Sequence, residues 1–424
     1  MRILLINDTS KQSNWGCRAT SFQLRRMLAA GGHEIVESVL VTELSHPHGW
    51  RLPLGCLFRK PITLFDCVPA RLSQFPTYAN RVLRGQATLK GPESTRVLNL
   101  RQALEQCDLV FINGEGSIHG NRRVAKAILF VAYVAKTVFG KPCVLTNHTA
   151  DLGNPELLPI AEAVYPMLDD VSFRDPISER TWGHLARQVT GSLLIPDAAF
   201  CFQPLAEAEF RQLASRPTYF SVWPDSAEGF DPRTPYVCVS ASSIYYREET
   251  YHYDPVPGYL RLCDRLRTQV GQVVLTAPCH VDERILRQVS RKLNLPLIGR
   301  SAPTQQAVDI LGNAQLHISG RWHPTIFAAV GGAPAITLTA NTYKLNGLNE
   351  LLGLSTPTFD ALALERQVDD IVDLAAVYFR QGPTDRTARR NLAAGLAERA
   401  AHHSRWLRQG KATQKAVSHS LKAG

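Results

Sequence analysis

Short apolar, β-branched runs alternate with helix-patterned stretches along almost all of this 424-residue chain, and the alternation occurs as two series. Arg2–Asn7, Glu34–Leu40, Asp108–Ile112, Pro142–Thr146, Val171–Arg174 and Leu193–Pro196 read as the strands of the first. Between them lie helical patterns over Ala19–Ala30, which Gly31 and Gly32 end, over Leu98–Gln106 and over Arg122–Phe139. Asn113–Ser117 reads as a glycine turn. From Phe202 to Pro235 the regularity fails, with prolines at 204, 217, 224, 232 and 235. It restarts at Tyr236–Ser240 and continues through Gln272–Thr276, Leu297–Ile298, Leu316–Ser319 and Ala335–Leu338. Alternation of this kind implies parallel sheets with helices on both faces, hence the α/β class. The length suits two domains of about 200 residues each. Residues 45–97, rich in Pro, Arg and Gly, read as an insertion or mobile loop region.

Apolar residues form 45% of the chain and charged residues 20%, which excludes a disordered or fibrous protein. No apolar run reaches the roughly 20 residues that span a bilayer. Ile128–Phe139 is shorter, contains Lys136, and reads as a buried helix. The N-terminus reads as a first strand and not as a secretion signal, so a cytoplasmic location is expected. Nine scattered cysteines, with no C-x-x-C pair and no metal-ligand spacing, point to buried free thiols and to no metal site. The net charge of +10 suits an anionic partner. Its densest part, Arg386 to Lys422, has two readings: a solvated helix face with a frayed tail, or peripheral attraction to an anionic membrane at its inner face. No aromatic-and-basic motif accompanies the charge, so no nucleic-acid partner is expected.

In parallel sheets ligands sit beyond the carboxyl ends of the strands, and the segments there are unusual. Asn14-Trp-Gly-Cys-Arg-Ala-Thr-Ser21 follows the first strand. Gly16 permits close backbone approach, and the helix start favours an anion or a sugar, although an ordinary strand-to-helix turn fits equally. It is not a dinucleotide fingerprint. Gly114, Glu115, Gly116, His119 and Gly120 follow another strand, and Glu115 could accept protons or hydrogen bonds from sugar hydroxyls. For His119 a structural role fits as well. Arg174 ends a strand and offers a fork for carboxylate or phosphate, the plainer alternative being a structural pair with Asp175. Ser319-Gly-Arg-Trp-His-Pro324 carries Gly320, Arg321 and His323. Arg321 and His323 share a parity, so an extended segment places them on one side, a cation beside a titratable imidazole. His280 and Asp282 follow Gln272–Thr276, while Tyr343 and Lys344 follow Ala335–Leu338. A helix cap is the plainer reading of Asp282, and a surface lysine that of Lys344.

In this order the segments resemble the polysaccharide pyruvyltransferase family. The resemblance rests on Asn14–Ala19, Gly114–Gly120, Arg174–Ser178, Asp197-Ala-Ala-Phe200, Pro278–Asp282, Ser319–His323 and Asn341–Lys344, over about residues 1 to 350. It implies a GT-B-like fold of two Rossmann-like domains with parallel sheets facing a cleft. The domains would be 1–215 on the acceptor side and 235–380 on the donor side, followed by a basic helix and tail over 381–424. The donor would be phosphoenolpyruvate and the acceptor a sugar of a surface polysaccharide or its lipid-linked precursor. Arg321, helped by Arg174, His280, Lys344 and Gly320, would hold the donor. His323 would protonate the enol methylene, and the product would be a pyruvyl ketal made without metal or cofactor. Asn14, Gly16, Gly114, Glu115 and His119 would meet the acceptor. The chain departs from the family at Trp322, commonly Leu, at Glu115, often Gly, and in the offset of Asn341-Thr-Tyr-Lys344. These departures leave two other readings: a GT-B glycosyltransferase that uses a nucleotide-activated sugar, with Glu115 as base, and a non-catalytic binder of this fold.

Overall fold

The computed structural model describes residues 1–41, 44–45, 69–86, 88–90, 97–216, 219, 230–250, 252–381 and 383–408. The strands are β1 (Arg2–Ile6), β2 (Glu34–Val39), β3 (Leu44–Ser45), β4 (Thr88–Lys90), β5 (Val97–Asn99), β6 (Leu109–His119), β7 (Cys143–Asp151), β8 (Asp170–Phe173), β9 (Tyr236–Ser242), β10 (Gln272–Thr276), β11 (Leu297–Ile298), β12 (Leu316–Gly320) and β13 (Ala335–Thr337). The chain divides into two compact units. The first comprises Met1–Lys11, Thr20–Ala198 and the segment from Ala401 on; the second comprises Gln12–Ala19 and Ala199–Ala400.

The first unit has a parallel sheet in the order β2-β1-β6-β7-β8. Ile3–Ile6, Leu109–Ile112 and Cys143–Leu145 are continuous apolar runs covered on both faces, whereas the edge strand β2 carries Glu34, Glu37 and Ser38. Successive side chains point to opposite faces: Leu4, Ile6, Val110 and Ile112 enter one apolar layer, while Ile3, Leu5, Leu109 and Phe111 enter another. The second unit repeats the design with the order β11-β10-β9-β12-β13. There Tyr236, Cys238 and Val274 enter one layer, and Val237, Val239, Val273 and Leu275 the other. In each sheet the strand order reverses once, between β1 and β6 and between β9 and β12. Such switch points leave a crevice beyond the strand ends.

Three sequence expectations need correction. The glycine turn at Asn113–Ser117 is instead the continuation of β6, which pairs with β7 as far as His119 and is irregular between Glu115 and Ile118. The glycines serve this pairing: a Cβ on Gly114 would lie 2.4 Å from the Cβ of His148. Leu193–Pro196 forms only a single bridge, Phe173 to Leu194. The stretch 45–97 is not all loop. Its helix Phe75–Leu83 buries Phe75 edge-on against Phe130 at 5.2 Å, and β3, β4 and β5 form a small antiparallel sheet. Residues 46–68, 87 and 91–96 of that stretch lie outside the described residues.

Several arginines in the described part of the basic C-terminal stretch are engaged within the protein. Helices end in unsatisfied carbonyls that carry partial negative charge. Arg386 donates to the carbonyls of Gly312 and Ala314, Arg389 to that of Gly332 at 2.8 Å, and Arg390 to that of Gly331 at 2.8 Å. These carbonyls end the helices Thr304–Asn313 and Trp322–Val330. In the first unit Arg405 grips both oxygens of Asp170. Lys411, Lys415 and Lys422 lie outside the described residues. Among the described residues no helix is long and apolar enough to cross a membrane.

Candidate active site

In the second unit the switch point lies where β9 and β12 end. Gly320 is required there, since a Cβ would come within 2.3 Å of the Ser242 hydroxyl oxygen. The next residue, Arg321, keeps an extended backbone and caps the helix Trp322–Val330. Its guanidinium turns inward. It donates from Nε to Asp282 at 2.9 Å and from one terminal nitrogen, Nη2, to Asp282 and, at 3.3 Å, to the Cys279 sulfur. The Tyr246 ring lies against it, 4.7 Å from centroid to Cζ, and the Tyr246 hydroxyl donates to Cys279 at 2.6 Å. Burial works against the Arg321 charge, but Asp282, Cys279 and Tyr246 outweigh it and raise its pKa. Arg321 is therefore a permanent cation whose charge is matched by a buried carboxylate.

This arrangement corrects the expected geometry of the Arg321–His323 pair. The chain turns helical at Trp322, so the alternating directions of an extended segment are lost after one residue. Arg321 serves as N-cap and His323 lies in the first helical turn. The half-buried His323 ring lies against the backbone of Gly16: a Cβ on Gly16 would fall 1.9 Å from its Nδ1. Trp322 is buried in the apolar layer, which accounts for its departure from the family pattern as a packing choice. Asn14 uses its side-chain oxygen to accept from the Gly16 N–H at 2.9 Å, capping the helix Trp15–Ala30.

Lys344 begins the helix Lys344–Leu351 and donates to the Asn341 side chain at 2.5 Å. Arg247 donates to the Asn341 carbonyl, and Ser243 bonds its side chain at 3.1 Å. His280 is exposed at the start of the helix His280–Leu293, edge-on to Tyr246 at 6.3 Å. Gly16, Asn14, His280, Gly320, Arg321, His323 and Lys344 thus all belong to the second unit.

Gly114, Glu115, His119 and Arg174 belong to the first unit. Glu115 follows the switch point between β1 and β6, and only 5% of it is exposed. It accepts from Asn113 at 3.1 Å and from the Thr9 hydroxyl. Its φ is +45°, while Asn7, at the end of β1, has +61° and Asn147, in β7, has +58°. Left-handed backbone at three non-glycine residues on adjacent strands is costly and collects at functional edges. The Asn7 and Asn147 amides both bond to Asn113, at 2.8 and 3.3 Å, which holds the three together. Arg174 reaches beyond its neighbour Asp175 to partners on other segments. It is buried, donating to Asp197 at 2.7 Å and Thr149 at 3.0 Å, while Asp175 caps the helix Pro176–Trp182 by accepting from Ser178. His119, at the end of β6, meets Arg122 at 2.9 Å.

Tyr246 and Thr9 are site neighbours outside the motifs, and Cys279 and Asn341 lie inside two of them but were given no role of their own. The strand-end rule points to Tyr246 through the position of Ser242–Arg247 directly after β9. The pairing of Cys279 with Tyr246 and of Asn341 with Lys344 has no signal in one sequence.

Two parallel sheets, each reversing its order once and each carrying a buried polar cluster beyond that reversal, define a GT-B-like α/β protein. Within that class the chain belongs to the polysaccharide pyruvyl transferase family, whose model matches residues 16–341. No curated protein matches the chain. Solved structures share its fold: the S. aureus MnaA–UDP complex matches at 15% identity and TM-score 0.53, over 96% of this chain and 97% of the other. An α,α-trehalose 6-phosphate synthase from Burkholderia multivorans matches at 12% identity and TM-score 0.51, over 98% and 99%. A UDP-N-acetylglucosamine 2-epimerase matches at 12% identity and TM-score 0.52, over 96% and 93%.

Proposed function

We propose that this protein transfers the pyruvyl group of phosphoenolpyruvate to two hydroxyls of a surface-polysaccharide sugar, or of its lipid-linked precursor, forming a ketal. The observation that carries the reading is His323 in the first turn of a helix leaving the switch point, next in line to a fixed Arg321 cation, in a member of this family. A helix start favours anions, and His323 adds a titratable donor there. Lys344, at the start of another helix of the same unit, serves the donor's negative charge. Arg321, neutralised by Asp282, orients the donor and fixes the helix start; the counter-charge comes from Lys344, the helix and the His323 imidazolium.

In the reaction the first sugar hydroxyl adds to C2 of the enol while His323, as imidazolium, gives a proton to C3 and makes it a methyl group. The hydroxyl proton passes to a base, a role assigned to Glu115 in the acceptor-binding unit. The C2–O bond to phosphate then breaks, phosphate leaves, and the second hydroxyl adds to C2, losing its own proton. Gly114, His119 and the asparagines around Glu115 belong to the acceptor side, together with Asn14 and Gly16 from the first helix. The reaction needs neither metal nor cofactor, and peripheral contact with an anionic membrane fits a lipid-linked acceptor.

The alternative is glycosyl transfer from a nucleotide-activated sugar, with Glu115 as base; two of the solved structures sharing the fold carry UDP or a UDP-sugar in their names. Thermal shift separates the two. Phosphoenolpyruvate should stabilise the protein and nucleotide sugars should not, and the reverse pattern would sink the pyruvyl reading. His323→Ala should abolish turnover and leave donor binding largely intact; unchanged turnover would exclude the general acid.

A further inference from the structure

The segment Gln12–Ala19 stands early in the chain yet belongs to the second unit. Three attachments hold it there. The Trp15 N–H donates to the Pro278 carbonyl at 3.3 Å, Arg18 donates to the carbonyls of Arg300 and Ala302 at 3.3 and 2.7 Å, and Arg300 donates to the Ser13 hydroxyl at 3.3 Å. The Trp15 ring is buried in the same apolar layer as Trp322. Gly16 is thereby set, as the second residue of the helix Trp15–Ala30, directly against the imidazole of His323.

Glycine is a poor helix residue, and its backbone here does not need the left-handed region, which leaves no local reason for it. The reason lies across the gap. A Cβ at this position would fall 1.9 Å from Nδ1, 2.2 Å from Cγ and 2.6 Å from Cβ of His323, distances no side chain tolerates. All three obstructed atoms belong to one residue, the one assigned to proton transfer.

We propose that Gly16 is a positioning residue for His323: its bare backbone is the wall on which the imidazole rests, and this wall sets the direction in which the ring delivers its proton. The inference rests on the functional reading above for its consequence in turnover, but not for the geometry itself. Alanine keeps the helix and removes the space, so the ring must rotate or the segment must shift. Displacing a catalytic group by about an ångström costs on the order of a hundredfold in rate.

The test uses the full chain with Gly16→Ala, His323→Ala and the double variant. Gly16→Ala should lower kcat by about a hundredfold with phosphoenolpyruvate affinity unchanged, and should shift the His323 ring signals in NMR, assigned by their loss in His323→Ala. Because His323→Ala abolishes turnover, the double variant is read by its stability: Gly16→Ala should cost less in the His323→Ala background than in the wild type, since the ring is gone. Wild-type kcat with unmoved ring signals overturns the proposal, as does a full additive loss in the double variant. Should Gly16→Ala alone prevent folding, its combination with His323→Gly, which removes the ring and the obstructing Cβ together, should fold; its failure to do so overturns the proposal as well. A wild-type chain that consumes no phosphoenolpyruvate defeats the functional reading, and the ring signals still decide the positioning claim.

Discussion

Replacing Asp282 by alanine removes the carboxylate that matches the Arg321 charge. The side chain of Asp282 is wholly buried and that of Arg321 is 8% exposed, so solvent cannot take over the role. Breaking a buried pair by deleting one partner costs about 3–5 kcal/mol, because the remaining charge stays desolvated. A unit of roughly 200 residues loses about 2–4 °C of melting temperature per kcal/mol, which makes the expected drop roughly 6–20 °C. Replacing both residues together by apolar ones should recover most of the loss, since the desolvation of each ion disappears with it. Calorimetry gives the shift. Hydrogen exchange then locates it: β9 and β12 should exchange faster, while β1 and β6 keep the wild-type rate. A drop below about 2 °C, equivalent to less than ~1 kcal/mol, would refute the reasoning.

Acid should weaken the first unit before its carboxylates titrate. Burial pushes His148 down to about 3 and His403 down to about 4, so both stay neutral in the fold. The unfolded chain binds those protons near pH 6.5, so this stability is present above that pH and is lost as pH falls towards the folded values. Each histidine contributes about 1.4 kcal/mol per pH unit in between, and urea unfolding at pH 7 and 5 should show it; equal stabilities at the two values would contradict it. Glu115→Gln should lower turnover by on the order of 10²–10⁴-fold if Glu115 is the base, measured with phosphate release at saturating donor. Retained activity would remove that role. Arg386→Ala should cost about 2 kcal/mol by stripping charged donors from two helix-terminal carbonyls; an unchanged denaturation midpoint would speak against the capping account.

Much of this architecture was legible in the sequence because parallel strands buried on both faces are written as continuous apolar runs. Gln272–Thr276 was read with the bounds of β10. The turn expected at Asn113 was misread for a physical reason. Glycine beside a charged residue signals a loop, but here Gly114 admits His148 on the neighbouring strand and Glu115 itself takes the left-handed backbone. The site was legible as segments and not as partners. Arg321 and His323 were found by their place after a strand, but Asp282 lies 39 residues from Arg321 and Gly16 lies far back in the chain. Arg174 donates to Asp197, 23 residues further on, while the adjacent Asp175 caps a helix, and neither partner is written in the local sequence. The excess of C-terminal arginines read as surface charge because helix-end carbonyls cannot be seen as acceptors before the fold is known.

The donor decides the account. Incubating the purified protein with phosphoenolpyruvate and a surface-glycan acceptor, then analysing the acceptor by mass spectrometry and the solution for phosphate, measures it directly. The account predicts a pyruvyl ketal on the sugar and one phosphate released per ketal, both lost in His323→Ala. An acceptor that gains a sugar from a nucleotide-activated donor, and nothing from phosphoenolpyruvate, would contradict it.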